Sequence, residues 1–248
     1  MTASAVKNRV LPVLGAALAA ALLTSAPVAA TPQGHAHPGR SHPGVISGKK
    51  LHEDNIWGGY VATGTNYRTV SASWVNPQVD CSARGIASWW VGFDGWSTTT
   101  VEQIGVDADC SNGTLSYSPW WEMYPRDSKY FSEPTAVGDH MTATVTHNRG
   151  HSYTMTLADS TAGWTRSFTA SLSTAGNDGA EAIVEPIGSA TVPELPDFGS
   201  LAFTKVTVDH KPMGSVPTVE STIGRGSTVL ATTAPLSGST FRMTWLHN

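Results

Sequence analysis

The chain has 248 residues, with Lys+Arg 15 against Asp+Glu 19 for a formal net charge of −4, and it is 40% hydrophobic but only 14% charged. So little charge beside so much apolar content excludes a disordered tail protein, and the absence of a basic excess excludes an electrostatic footprint for nucleic acid. Two cysteines cannot build a disulfide-dense miniprotein or a four-cysteine zinc site, and Gly 24 with Pro 15 points to many turns.

Residues 1–30 read as a secretory signal: Lys7 and Arg9 supply the positive start, and an apolar run over 10–23 follows. Ala26-Pro27-Val28-Ala29-Ala30 then fits a cleavage site after Ala30. The run is shorter than the ~20 residues a membrane span needs, so after cleavage no membrane association is expected. Residues 31–54 are rich in Gly, Pro and His (His35, His37, His42) and read as a linker or short pro-segment. The first fifty residues hold Lys7, Arg9, Arg40, Lys49 and Lys50 and no acid, so the rest is more acidic than the whole chain. That balance suits an acidic medium, in which the carboxylates become neutral.

Residues 55–248 read as one all-β domain. Val70, Ala72 and Trp74 alternate with Thr69, Ser71 and Ser73. Strand-like runs follow at 88–93, 98–106 and 120–124, then around Met141, Ala143 and Val145 and around Tyr153, Met155 and Leu157. Further runs span 164–169, 180–185, 201–208 and 227–232, and Phe241, Met243 and Trp245 close the chain. Turn signals such as Asp94-Gly95, Asn112-Gly113, Asn148-Arg149-Gly150 and Asn177-Asp178-Gly179 lie between them. Many short strands with tight turns imply a two-sheet antiparallel sandwich or a barrel. Cys81 and Cys110, in the folded part of an exported chain, are expected to pair.

No phosphate loop, dinucleotide fingerprint, His-Glu-x-x-His signature or Gly-x-Ser-x-Gly elbow occurs. His140, His147 and His151 sit on or beside a hairpin, and turn or surface roles are expected for them rather than a metal site. Strand parity puts Gln103 with Val101, Glu122 with Trp120 and Tyr124, and Glu185 with Ile183. A polar group on such a face either lines a cleft or needs a partner in the core. Glu181 and Glu185 share a face but stand four residues apart, about 13 Å, too far for a mutual dyad. Any pair sharing a proton or a water therefore comes from different strands. Trp57, Trp89, Trp90, Trp120, Trp121 and Tyr124 are candidates for the wall of a peptide cleft or for the sandwich core.

An ordered set of short stretches resembles the glutamic peptidases, the eqolisin family. It runs through Trp57-Gly58-Gly59, Thr69-Val70-Ser71-Ala72, Trp90-Val91-Gly92-Phe93-Asp94-Gly95, Gln103-Ile104-Gly105-Val106 and Trp121-Glu122-Met123-Tyr124-Pro125. It continues through Gly138-Asp139, Ala180-Glu181-Ala182-Ile183-Val184-Glu185 and Asp197-Phe198-Gly199. The resemblance implies an all-β, two-sheet antiparallel β-sandwich of the lectin-like (concanavalin A-like) type and a secreted acid endopeptidase without a cofactor or metal. It carries the family's catalytic glutamine to Gln103, within the strand where the family has Leu-Gln-Thr-Gly, and the catalytic glutamate to Glu185. Supporting or cleft roles map to Trp90, Glu122, Trp121, Tyr124 and Trp57. Three departures stand out: Ser118 replaces an aspartate near the glutamate strand, Ala182 an aromatic, and Pro186 an acid.

The chemistry implied is water activation by the Glu185 carboxylate, with the Gln103 amide donating to the tetrahedral oxyanion and no covalent intermediate. The expected partners are protein or peptide substrates, with the chain acting as a monomer. Two other readings of the same residues remain. One is a secreted glycan hydrolase using Glu122 and Glu185, and the other a non-catalytic carbohydrate-binding sandwich.

Overall fold

The computed structural model describes residues 1–2 and 54–248. The expected signal and linker lie outside the described residues except at Met1, Thr2 and Asp54. In chain order the strands are β1 (Gly58–Ala62), β2 (Thr69–Val75), β3 (Ile86–Asp94), β4 (Val101–Asp109), β5 (Ser116–Tyr124), β6 (Lys129–Tyr130), β7 (His140–His147) and β8 (Ser152–Asp159). They continue with β9 (Trp164–Ser171), β10 (Ala180–Ile187), β11 (Ser200–Val208), β12 (Lys211–Pro212), β13 (Thr218–Ser221), β14 (Ile223–Arg225), β15 (Thr228–Thr233) and β16 (Phe241–Trp245).

Two antiparallel sheets result, the expected sandwich. A seven-stranded sheet has the order β13-β1-β10-β3-β4-β5-β6, and a nine-stranded sheet the order β14-β15-β16-β11-β2-β7-β8-β9, with β12 on β11. Strands β2, β7 and β8 alternate buried and half-exposed residues, because one face packs inward and the other meets solvent. Strands β3, β4 and β10 are buried at every position, so both of their faces are covered.

The main core fills the space between the sheets. Ala87, Trp89, Val91 and Phe93 of β3 and Ile104, Val106 and Ala108 of β4 meet Ala143 and Val145 of β7 and Tyr153, Met155 and Leu157 of β8 there. Edge-on aromatic pairs tie the layer together: Trp74 on Phe203 at 5.8 Å and Tyr60 on Phe241 at 5.0 Å between ring centres. Two buried indoles, Trp74 of one sheet and Trp89 of the other, both donate to Asn76 Oδ1, at 3.0 and 3.1 Å. Asn76 in turn donates to the carbonyl of Ala136 at 3.2 Å. One amide therefore satisfies polar groups from both layers, which apolar neighbours cannot do.

Cys81 and Cys110 form the expected disulfide, joining the turn that precedes β3 to the residue that follows β4. The turn signals hold as well. Asp94 and Gly95 have φ of 75° and 82°, Gly113 78°, Gly150 62° and Asn177 54°. The strand expected over 98–106 begins only at Val101. Thr98 is used in the turn, where its Oγ1 accepts from the Gly95 amide at 2.8 Å. Two of the three histidines make turn contacts, His147 Nε2 with the Gly150 carbonyl and His151 Nδ1 with the Ala175 carbonyl, while His140 opens β7 with its side chain exposed.

Replacing Asn76 by Leu strands two buried indole N–H groups. The expected loss is about 1–3 kcal/mol of unfolding free energy for each, measured by urea denaturation. A loss below that of a single unmet donor contradicts the shared-acceptor role.

Candidate active site

The second face of the seven-stranded sheet carries its own buried layer. Trp57, Val61, Trp90, Val101, Trp120 and Ile183 form it, with Trp96, Tyr124 and Tyr130 packed against them. The two-residue repeat delivers these side chains. On β3 the odd positions point between the sheets, and Ser88, Trp90 and Gly92 point the other way. Register then builds two polar rows on this face. One runs through Glu181 of β10, Gly92 of β3, Gln103 of β4 and Glu122 of β5. The other runs through Glu185, Ser88, Asp107 and Ser118 on the same four strands.

Gln103 and Glu185 thus share one face, offset by four residues on β3 with Trp90 midway between their rows. Both are fully buried, as is Glu122. Gln103 Nε2 donates to Glu122 Oε2 at 2.6 Å, and Ser128 Oγ donates to Glu122 Oε1 at 3.0 Å. The Trp90 indole N–H donates to Glu185 Oε2 at 3.0 Å, so the glutamate leans toward the midpoint. Trp57 meets Trp90 edge to face at 4.9 Å between ring centres and holds the indole in place. Gly105, the partner of Trp90 on β4, makes room for it: a Cβ there would lie 2.5 Å from Trp90 Cβ.

In the second row Trp120 Nε1 donates to Ser88 Oγ at 3.2 Å, and the Tyr130 hydroxyl donates to Asp107 Oδ2 at 2.7 Å. Asp107, Ser88, Ser128 and Tyr130 were not singled out in the sequence. Parity could have found Asp107, which follows Gln103 by four residues on one strand. Ser128 comes from the connection after β5 and carries no periodic signal.

Of the other expected site residues, Trp57 and Tyr124 belong to this layer, but Trp121 does not. It pairs with Ile104 on the opposite face, packs against the main core, and stacks on Phe168 of β9 at 5.4 Å. A strand cannot turn neighbours 121 and 122 to the same side, so Trp121 is corrected from cleft to core edge. Trp89 also faces the main core. Ala182 and Pro186 point between the sheets, so those two departures leave this face untouched. Pro186 lies beyond the last residue that β1 pairs, Val184, where its missing N–H costs no ladder bond to β1. Ser118 lies on the site face beside Asp107.

A cluster of acids borders the first row. Asp94 accepts from the backbone amides of Gly176 and Asn177 at 2.9 and 3.0 Å and of Asp178 at 2.8 Å, which fixes the loop entering β10. Glu102, opposite Phe93, points toward the main core. Its burial pushes the carboxyl up to about 11, helped by nearby Asp94 and Glu181. Glu181 is raised well above the ordinary range, first by burial and then by Asp94 and Asp178.

The model of the peptidase A4 family matches residues 55–245. Aspergillopepsin-2 of Aspergillus niger is 29% identical over 218 residues, covering 77% of each chain. Among solved structures, scytalido-glutamic peptidase with a peptide-based transition-state analogue is 26% identical with a TM-score of 0.67, covering 77% of this chain and 98% of that one. The aspergilloglutamic peptidase of Aspergillus niger is 30% identical with a TM-score of 0.57, covering 65% of this chain and 99% of that one.

The raised acids set a sign for stability against pH. Below about pH 4.5 Glu102 is protonated folded or unfolded and costs nothing. Above it the unfolded chain releases a proton that the folded chain keeps, so stability falls by up to about 1.4 kcal/mol per pH unit until the folded group ionises. Glu102→Gln should therefore raise the urea midpoint at pH 7 and leave it near wild type at pH 3. An equal shift at both pH values contradicts this.

Proposed function

Because the chain belongs to the peptidase A4 family, whose similar structures are glutamic peptidases, we propose that it is an exported acid endopeptidase in which Gln103 and Glu185 act on one water molecule. The observation that carries the reading is that the two groups are buried on one face in rows either side of Trp90. With a four-residue offset and β3 between them, they share a water by both side chains reaching over Trp90, toward which its indole bond already draws Glu185.

Glu185, as a carboxylate, takes a proton from the water while the water oxygen attacks the scissile carbonyl carbon. The carbonyl oxygen becomes an oxyanion, and Gln103 donates an amide N–H to it. One N–H of that amide is held by Glu122, which leaves the other for the oxyanion and Oε1 for the water. Glu185 then gives its proton to the leaving nitrogen, the C–N bond breaks, and the carboxylic acid and amine products separate. Trp90 orients Glu185 throughout. The amide does not titrate, so pH acts through the carboxyl groups alone. Export rests on Lys7, Arg9 and the apolar run that follows them.

A glycan hydrolase using Glu122 and Glu185 is less well supported. Glu122 stands one strand farther from Glu185 than Gln103 does, and it is engaged by Gln103 and Ser128.

Glu185→Gln and Gln103→Ala, prepared as folded proteins and assayed on denatured protein between pH 2 and 6, should each lose at least about 10²–10³ in kcat. Near wild-type turnover in either would falsify the dyad. Trp90→Phe keeps the ring but removes the N–H to Glu185, and should lower kcat with little change in KM. The opposite split, a raised KM at constant kcat, would make Trp90 a substrate contact instead.

A further inference from the structure

Glu181 stands in the same row as Gln103, separated from it only by Gly92. A Cβ on residue 92 would lie 3.1 Å from Glu181 Oε1 and 3.1 Å from Gln103 Cβ, so the two side chains flank a notch that any larger residue would fill. Gln103 Oε1 and both Glu181 oxygens are buried and have no hydrogen-bond partner among the described residues. Gln103 Nε2 is committed to Glu122, so the amide presents its carbonyl oxygen as the group still needing a donor. A buried acceptor left unmet costs about 1–3 kcal/mol, and so does an unmet acid proton, which makes the pairing of these two groups favourable. The proposed mechanism gives Glu181 no role.

Resting on the dyad reading above, we propose that Glu181, carrying its proton, is a positioning residue for Gln103: its O–H donates to Gln103 Oε1 across the notch at Gly92 and holds the amide against Glu122. The amide is then gripped at both ends, by an acceptor on β5 and a donor on β10. Oε1 has a second lone pair, which stays available for the attacking water. The groups facing or bordering Glu181 are acids: Asp94 at the end of β3, Glu102 on β4, Asp178 in the loop before β10, and Glu122 and Glu185 farther along the same face. Burial opposes its ionisation first, and Asp94 and Asp178 add to that. Once the proton is lost at higher pH, a carboxylate faces an amide oxygen, the grip becomes a repulsion, and activity falls with the fold still intact. The proposal supplies a protonated group to an otherwise pH-indifferent amide, and so an alkaline limit to the reaction that Glu185, needed as a base, does not provide.

The test compares Glu181→Gln, Glu181→Leu and Gly92→Ala with wild type by kcat and KM from pH 2 to 8, with folding followed by near-UV circular dichroism in parallel. Glu181→Gln retains a neutral N–H donor and should keep near wild-type kcat in acid, with the alkaline limb of kcat moved to higher pH. Glu181→Leu, which has no donor, and Gly92→Ala, which wedges the two groups apart, should lower kcat by about 10- to 100-fold at unchanged KM. A folded Glu181→Leu protein with wild-type kcat, or a Glu181→Gln protein with an unmoved alkaline limb, overturns the proposal. If the Leu variant does not fold, the limb of the Gln variant decides alone. Gln103→Ala in the same series separates the two readings. Its inactivity beside a fully active Glu181→Leu removes only this proposal, whereas its full activity removes the dyad.

Discussion

The hydrogen bond from Gln103 Nε2 to Glu122 Oε2 turns a side chain with freely rotating torsions into a fixed dipole. A primary amide offers donors on one side and an acceptor on the other, so a carboxylate neighbour decides which way it faces. Glu122 is itself held by Ser128, and its strand is bonded along its whole length to the strand of Gln103. On the dyad reading proposed above, orientation of the Gln103 amide thus comes from ladder geometry and is in place before substrate arrives. In the proposed mechanism that fixed dipole is what a neutral residue contributes to amide hydrolysis, since it need not reorganise as charge develops.

That arrangement requires a sheet buried on both faces, with consequences for the whole domain. One face supplies cohesion through the main core, and the other buries polar groups among tryptophans. Where an indole N–H meets an acceptor, as with Trp90 on Glu185, Trp120 on Ser88 and the pair on Asn76, burial is compensated. For the acids Glu102 and Glu181, burial instead raises the carboxyls above the ordinary range, which favours their neutral form. Both acids cost least stability at low pH, where the unfolded chain keeps their protons as well.

Legibility followed the physics of each segment. Alternation exposed β2, β7, β8 and β16, whose faces differ in polarity, and Gly-containing turns marked the ends between them. The short strands β6, β12, β13 and β14 were not read, because two to four residues carry too little periodicity and their pairing is decided by neighbours distant in sequence. Parity alone assigned Gln103, Glu122 and Glu185 to faces with apolar companions. Only family resemblance selected Gln103 and Glu185 from the other buried polar residues, since which strands adjoin is a property of topology. Trp121 was misjudged for a related reason: motif position suggested the cleft, while its neighbour Glu122 had already claimed that side of the strand. Ser128 and Tyr130 needed the chain path after β5 to become visible.

The central claim is that Gln103 and Glu185 address a single solvent molecule. A crystal structure at acidic pH, at a resolution that locates ordered water, tests it most directly. The account predicts one water within about 2.6–3.2 Å of both Gln103 Oε1 and a Glu185 carboxyl oxygen, lying over Trp90. Separate waters on the two groups, with no solvent site common to both, would contradict it.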